Sequence, residues 1–80
     1  MSKKIKVGQI YKYENVGLFV ISNIQDIDDE FYNVTIIWQD GSAEIFKAIR
    51  KSMQIYGKFV AEYPTWQEAI NSKEFNNETI

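Results

Sequence analysis

Two runs of alternating apolar and polar residues flank Asp40-Gly41: Tyr32-Asn33-Val34-Thr35-Ile36-Ile37-Trp38-Gln39 before it and Ser42-Ala43-Glu44-Ile45-Phe46 after it. Alternation with period two marks a strand with one buried face. Asp and Gly tolerate the positive φ that a two-residue hairpin turn requires. Such a turn predicts Gln39 opposite Ser42, Trp38 opposite Ala43 and Ile36 opposite Ile45. Val34, Ile36, Trp38, Ala43 and Ile45 then share the buried face, which assigns Trp38 to the core.

The same reading extends in both directions. Lys6 to Tyr13 reads as a first strand, with Val7, Gln9, Tyr11 and Tyr13 on one face and Ile10 and Lys12 on the other; Gly8 is a bulge or a sharp bend. Glu14-Asn15 and Gly17 suit a turn. Leu18 to Ile24 is nearly continuously apolar and β-branched, which predicts a central strand covered on both faces. Gln25 to Glu30 reads as a solvated loop. Ala48 to Met53 suits one short helical turn, and Ile55 to Glu62 a fifth strand with a bend at Gly57.

The period then changes. Thr65-Trp66-Gln67-Glu68 matches a capping box, in which the Thr65 hydroxyl accepts the Glu68 amide and Glu68 reaches back. Trp66, Ala69 and Ile70 form one apolar stripe at helical spacing. A short helix over about 65–73 follows, with Phe75 packing beyond it and residues 76–80 fraying. The expected architecture is mainly β: one domain over 1–80, a five-stranded antiparallel small barrel over about 6–62, closed by the C-terminal α-helix.

Composition narrows the chemistry. The chain has 80 residues, 45% hydrophobic and 15% aromatic, which suits one small globular domain. It has no Cys and no His. A disulfide framework, a zinc-thiolate site, a thiol nucleophile and a His-based triad are therefore excluded. No enzymatic activity, no metal and no cofactor are expected. No Gly-rich phosphate loop is present, because Gly8, Gly17, Gly41 and Gly57 stand alone. Met1-Ser2-Lys3-Lys4-Ile5-Lys6 lacks the apolar stretch of a signal peptide. No apolar run approaches membrane-spanning length. The expected location is the cytoplasm, and the Asn-x-Thr triplets at Asn33 and Asn77 are expected to be chance. The net charge of −2 is not that of a dedicated nucleic-acid binder.

Five short strands, a tight turn between the third and fourth, a helical turn before the fifth and a terminal helix make an order that resembles the Src-homology-3-like small barrels, including Tudor-type and KOW-type domains. The resemblance is one of topology. The stretch Ala61-Glu62-Tyr63-Pro64-Thr65-Trp66-Gln67-Glu68-Ala69-Ile70-Asn71-Ser72 is similar to the ends of small proteins from bacteriophages of Gram-positive bacteria. That similarity implies a phage accessory protein and carries no activity with it.

Three groups of residues are candidates for contact. The acidic cluster holds Asp26, Asp28, Asp29 and Glu30; its spacing does not fit an EF-hand, since Phe31 stands where Gly is needed and Ile37 where a bidentate Glu is needed. It reads as a solvated loop or as an acidic knob for a basic partner surface. Tyr11, Tyr13 and Tyr32 are the second group, able to stack bases or cage a cation, or else to fill the core or a dimer contact. The third group is basic: Lys12, Lys47, Arg50 and Lys51, with Lys3, Lys4 and Lys6 at the N-terminus. These residues contact phosphates or serve solubility.

The expected function is binding without catalysis. The phage similarity implies an accessory or inhibitory protein that blocks or sequesters a host protein, anti-defence action included, through the acidic loop and exposed tyrosines. The competing class is a KOW- or Tudor-like nucleic-acid module using Lys12, Lys47, Arg50 and Lys51. A third is a homo-oligomer that sequesters a small molecule such as a nucleotide between subunits.

Overall fold

The computed structural model describes residues 5–49 and 57–76. Its five strands are β1 (Gln9–Tyr13), β2 (Gly17–Asp26), β3 (Phe31–Trp38), β4 (Ala43–Ile49) and β5 (Lys58–Glu62). They form one antiparallel sheet in the order β4-β3-β2-β1-β5. Two short helices follow, α1 (Trp66–Ile70) and α2 (Lys73–Asn76). The mainly β architecture expected from the alternation is present. Among the described residues the sheet is open, with β4 and β5 as its edges, so the expected closure into a barrel is not observed there.

The apolar run of β2 places it at the centre, as its composition predicts. Phe19 and Ile21 point to one face, where they join Ile5, Tyr11, Tyr32, Val34 and Ile36 in a buried cluster. Leu18 and Val20 point to the other, where Ile10, Ala69 and Phe75 complete a second cluster beneath the helices. One strand thus serves two cores. The β2–β3 register slips between Ile21 and Asn23, leaving Ser22 as an extra residue. A bulge of this kind bends the strand and increases its twist. The bend brings Tyr32, whose register partner is Asp26 at the far end of β2, into the same cluster as Tyr11. It also explains why the apolar positions read 19, 21 and then 24: Ile24 packs against the same face as Phe19 only because the period is broken between them.

The turn at Asp40-Gly41 differs from the expected one by a residue. Trp38 N–H donates to Ser42 O at 2.8 Å, and Gly41 N–H donates to Trp38 O at 2.9 Å. This is a three-residue loop over 39–41, closed by Gly41 at φ 92°. Asp40 Oδ1 accepts from Ser42 N at 2.9 Å and from Ser42 Oγ at 2.6 Å, which fixes the loop. The register is therefore Ile37 opposite Ala43, Ile36 opposite Glu44 and Thr35 opposite Ile45. A one-residue slip turns every side chain of a strand to the opposite face. Phe46 and Ala48 pack against the core in place of Ala43 and Ile45, and Ile45 is 68% exposed. Trp38 is half-buried at the edge of the cluster, not enclosed within it.

Other boundaries shift modestly. β1 starts at Gln9, because Gly8 occupies a turn at φ 96°. Gln25 and Asp26 belong to β2, and the exposed loop is confined to 27–30. Ala48 and Ile49 belong to β4, not to a helical turn; the remainder of that turn, and Ile55 and Tyr56, lie outside the described residues. The single C-terminal helix is two. Thr65 caps α1, accepting from Glu68 N at 3.1 Å, while the Glu68 carboxylate takes the Thr65 hydroxyl at 3.2 Å. Ser72 breaks the helix, donating from Oγ to Ala69 O at 2.6 Å and accepting from Phe75 N at 3.3 Å. Asn76 belongs to α2 and does not fray, since its side-chain amide donates to Ile70 O and Ser72 O; the rest of the expected tail lies outside the described residues. No helix among the described residues is long and apolar enough to cross a membrane.

Candidate functional site

The three expected tyrosines do not form a surface cluster. Tyr11 is 5% exposed and Tyr32 4%, and both belong to the core. Tyr11 sits on β1 between its neighbours β2 and β5, with its ring against Phe19 at 5.7 Å and Phe59 at 5.8 Å. Its hydroxyl donates to Gln9 Oε1 at 3.0 Å. Gln9 is itself fully buried, accepts from Lys6 N at 2.9 Å and donates to Glu62 Oε1 at 3.2 Å. Only Tyr13 remains at the surface, its ring 6.3 Å from that of Trp38.

Burial pushes the Tyr11 hydroxyl above its ordinary pKa, with the Glu62 carboxylate and Tyr32 adding to the effect. A raised folded-state value means that the neutral form is favoured by folding. The associated stability is therefore complete below about pH 10 and lost as pH rises through the folded-state value. Urea midpoints measured from neutral to strongly alkaline pH are expected to fall above that point. Tyr11→Phe is expected to flatten the fall while lowering the neutral midpoint, because the Gln9 hydrogen bond is gone. An unchanged alkaline slope in Tyr11→Phe contradicts this assignment.

The acidic residues Asp26, Asp28, Asp29 and Glu30 are all exposed. Asp28 Oδ1 holds the loop together, accepting from Glu30 N at 2.8 Å and Phe31 N at 2.9 Å. The described residues contain no group of three or more carboxylates arranged to hold a metal ion. Lys12 and Lys47 do not converge either: three strand positions separate β1 from β4. Lys47 lies over the Phe31 ring, with Nζ 5.0 Å from its centroid. Lys12 is the register partner of Lys58, beside a hollow of about 780 Å³ lined by Lys12, Tyr13, Glu14, Asn15, Gly57 and Lys58. Arg50 and Lys51, like Lys3 and Lys4, lie outside the described residues.

Many carboxylates have structural work. Asp28 and Asp40 fix loops, Glu68 completes a cap, Glu62 meets Gln9 and Glu44 accepts from the Trp38 indole at 2.8 Å. Glu74 accepts from the Tyr63 hydroxyl, which holds Glu74 below the carboxylate range and pushes Tyr63 up.

Two surfaces remain that sequence reasoning did not find. The first is the outer face of the β3–β4 hairpin. The slipped register sets Ile45 beside Thr35 and Ala43 beside Ile37 on the face opposite the first cluster. The helices pack on β1 and β2, and Ile45 stays open. The second is a groove of about 420 Å³ between the β1–β2 turn and the β3–β4 loop, lined in part by Val16, Leu18, Trp38, Asp40 and Glu44. Gln39 braces this end of the sheet: its Oε1 accepts from Leu18 N at 3.2 Å and its Nε2 donates to Phe75 O at 2.8 Å. No family model, curated protein or solved structure matches the chain.

Proposed function

We propose that this chain is a non-enzymatic binding protein that blocks or sequesters another protein, in the role of a bacteriophage accessory or inhibitory protein acting on a host factor. The observation that carries the reading is the exposure of Ile45 on a strand whose other face is packed. Ala43 and the half-buried Ile37 lie beside it on the same face. Covering one such side chain contributes roughly 1.5–3 kcal/mol, so a partner seated here gains from burial that the isolated chain leaves unused. The structural use of many carboxylates supports a scaffold over a catalyst. The strand order, in which β5 returns to pair with β1, supports the small-barrel relationship as the finer statement of the fold.

The test compares the tagged protein with its Ile45→Glu variant in affinity capture from a lysate of a Gram-positive host. Ile45 is mostly in solvent, so the variant is expected to melt at the same temperature. A specific protein is expected to be retained by the parent and reduced about tenfold or more by the variant, the equivalent of about 1.4 kcal/mol. Identical captured sets, or no captured protein with either, overturn the reading.

A further inference from the structure

The groove between the two hairpin ends has a definite chemistry. Trp38 is among its lining residues, and the Trp38 indole makes T-shaped pairs with Tyr13 and Phe19, ring centroids 6.3 and 5.2 Å away. Val16, 55% exposed, adds an apolar flank. Asp40 and Glu44 stand at the rim, and no Lys or Arg lies among the described lining residues. Both carboxylates are held in place. Asp40 Oδ1 is bound to Ser42, and Glu44 Oε1 is bound to the indole N–H at 2.8 Å. Glu44 Oε2 accepts no hydrogen bond from the described residues. The Ser42 hydrogen bonds also hold the Asp40 carboxyl below the usual range, so it stays charged well into mild acid.

An aromatic ring with a carboxylate anchored at its edge matches one side chain in shape and charge. A guanidinium is planar, stacks on an indole and forms hydrogen bonds to a carboxylate in the same plane. Lysine offers a point charge without the stacking surface. We propose that the groove receives an arginine side chain of the partner protein, with the guanidinium on the Trp38 ring and its N–H groups on Glu44 Oε2 and Asp40 Oδ2. This inference rests on the binding reading above and names the chemistry of the partner.

The experiment follows the two indole N–H resonances of the isotope-labelled full chain during titration with N-acetyl-arginine amide. The Trp38 resonance is expected to move saturably with a dissociation constant of about 1 mM, the strength appropriate to a single side chain. The Trp66 resonance is expected to stay in place. Glu44→Gln keeps an acceptor for the indole N–H and removes the charge, so it is expected to weaken the response about tenfold. Added salt is expected to weaken it as well, because the groove is open to solvent. An unmoved Trp38 resonance, an unchanged response in Glu44→Gln, or an equal response to N-acetyl-lysine amide overturns the assignment. The two readings fail separately. Loss of the arginine response with Ile45-dependent capture intact removes only the groove. Loss of capture with the arginine response intact overturns the protein-blocking reading and leaves the groove as an arginine site without that partner.

Discussion

Gly8→Ala is expected to destabilise the protein by about 3 kcal/mol or more, a strained backbone contributing about 1–3 kcal/mol and displaced hydrogen bonds about 0.5–1.5 kcal/mol each. Gly8 has φ 96°, and a Cβ placed there meets Tyr63 O at 2.2 Å. The obstacle is backbone, so it cannot rotate away. Gly8 N–H donates to Ile21 O at 2.9 Å and Gly8 O accepts from Tyr63 N at 3.0 Å. Any movement that relieves the clash loosens the entry to β1 from both β2 and the end of β5. For a domain of this size each kcal/mol lowers the melting temperature by about 4–8 °C, so a fall of about 15 °C is expected. Gly41→Ala is the control. Gly41 has a similar φ, 92°, but nothing within 4 Å of the added Cβ. It carries the conformational cost alone, about 1–2 kcal/mol. Urea denaturation of both variants decides the matter: equal losses show that the close approach to Tyr63 is unimportant.

Phe19→Ala has the other large expected effect, about 3–5 kcal/mol from the cavity and lost transfer energy. Phe19 is 3% exposed, stacks on Tyr11 and meets Trp38 edge-on. Aromatic pairs add about 0.5–1.5 kcal/mol beyond burial. Total stability for 80 residues is on the order of 4–12 kcal/mol. The variant is therefore expected to lose much of its cooperative unfolding transition at ambient temperature. Phe19→Leu, which keeps most of the volume, is expected to retain it. A calorimetric transition for Phe19→Ala matching the parent refutes the placement of this ring at the junction of β1, β2 and β3.

How much of this the sequence disclosed varied with the range of the interaction. β2 was legible because Leu18 to Ile21 are apolar on both alternations, and only a central strand accommodates that. The cap at Thr65 was legible because its partners are three residues apart. The hairpin was legible as a hairpin but not in register. Asp-Gly serves a two-residue turn and also the end of a three-residue loop, and β4 offers Ala43 and Ile45 on one alternation against Phe46 and Ala48 on the other. The longer loop turns Phe46 and Ala48 onto the core, and nothing local announces that choice. For Tyr11 and Tyr32 the sequence leaves surface and core both open, because their burial depends on the Ser22 bulge and on β5. β5 reaches β1 across about fifty residues, and the buried Gln9 is legible only with that pairing in place. The groove shares this dependence, since its walls come from two separate hairpins.

Ser22 sets a rule for how the chain can change length. A residue added or removed within Leu18 to Ile21 transposes inward and outward on two oily compartments together, so neither can adapt without spoiling its neighbour. At Ser22 the ladder already carries a surplus residue, and dropping it would restore an even count without exchanging what lies on either side. Shortened descendants of this chain should have lost their residue there, trading curvature for regularity.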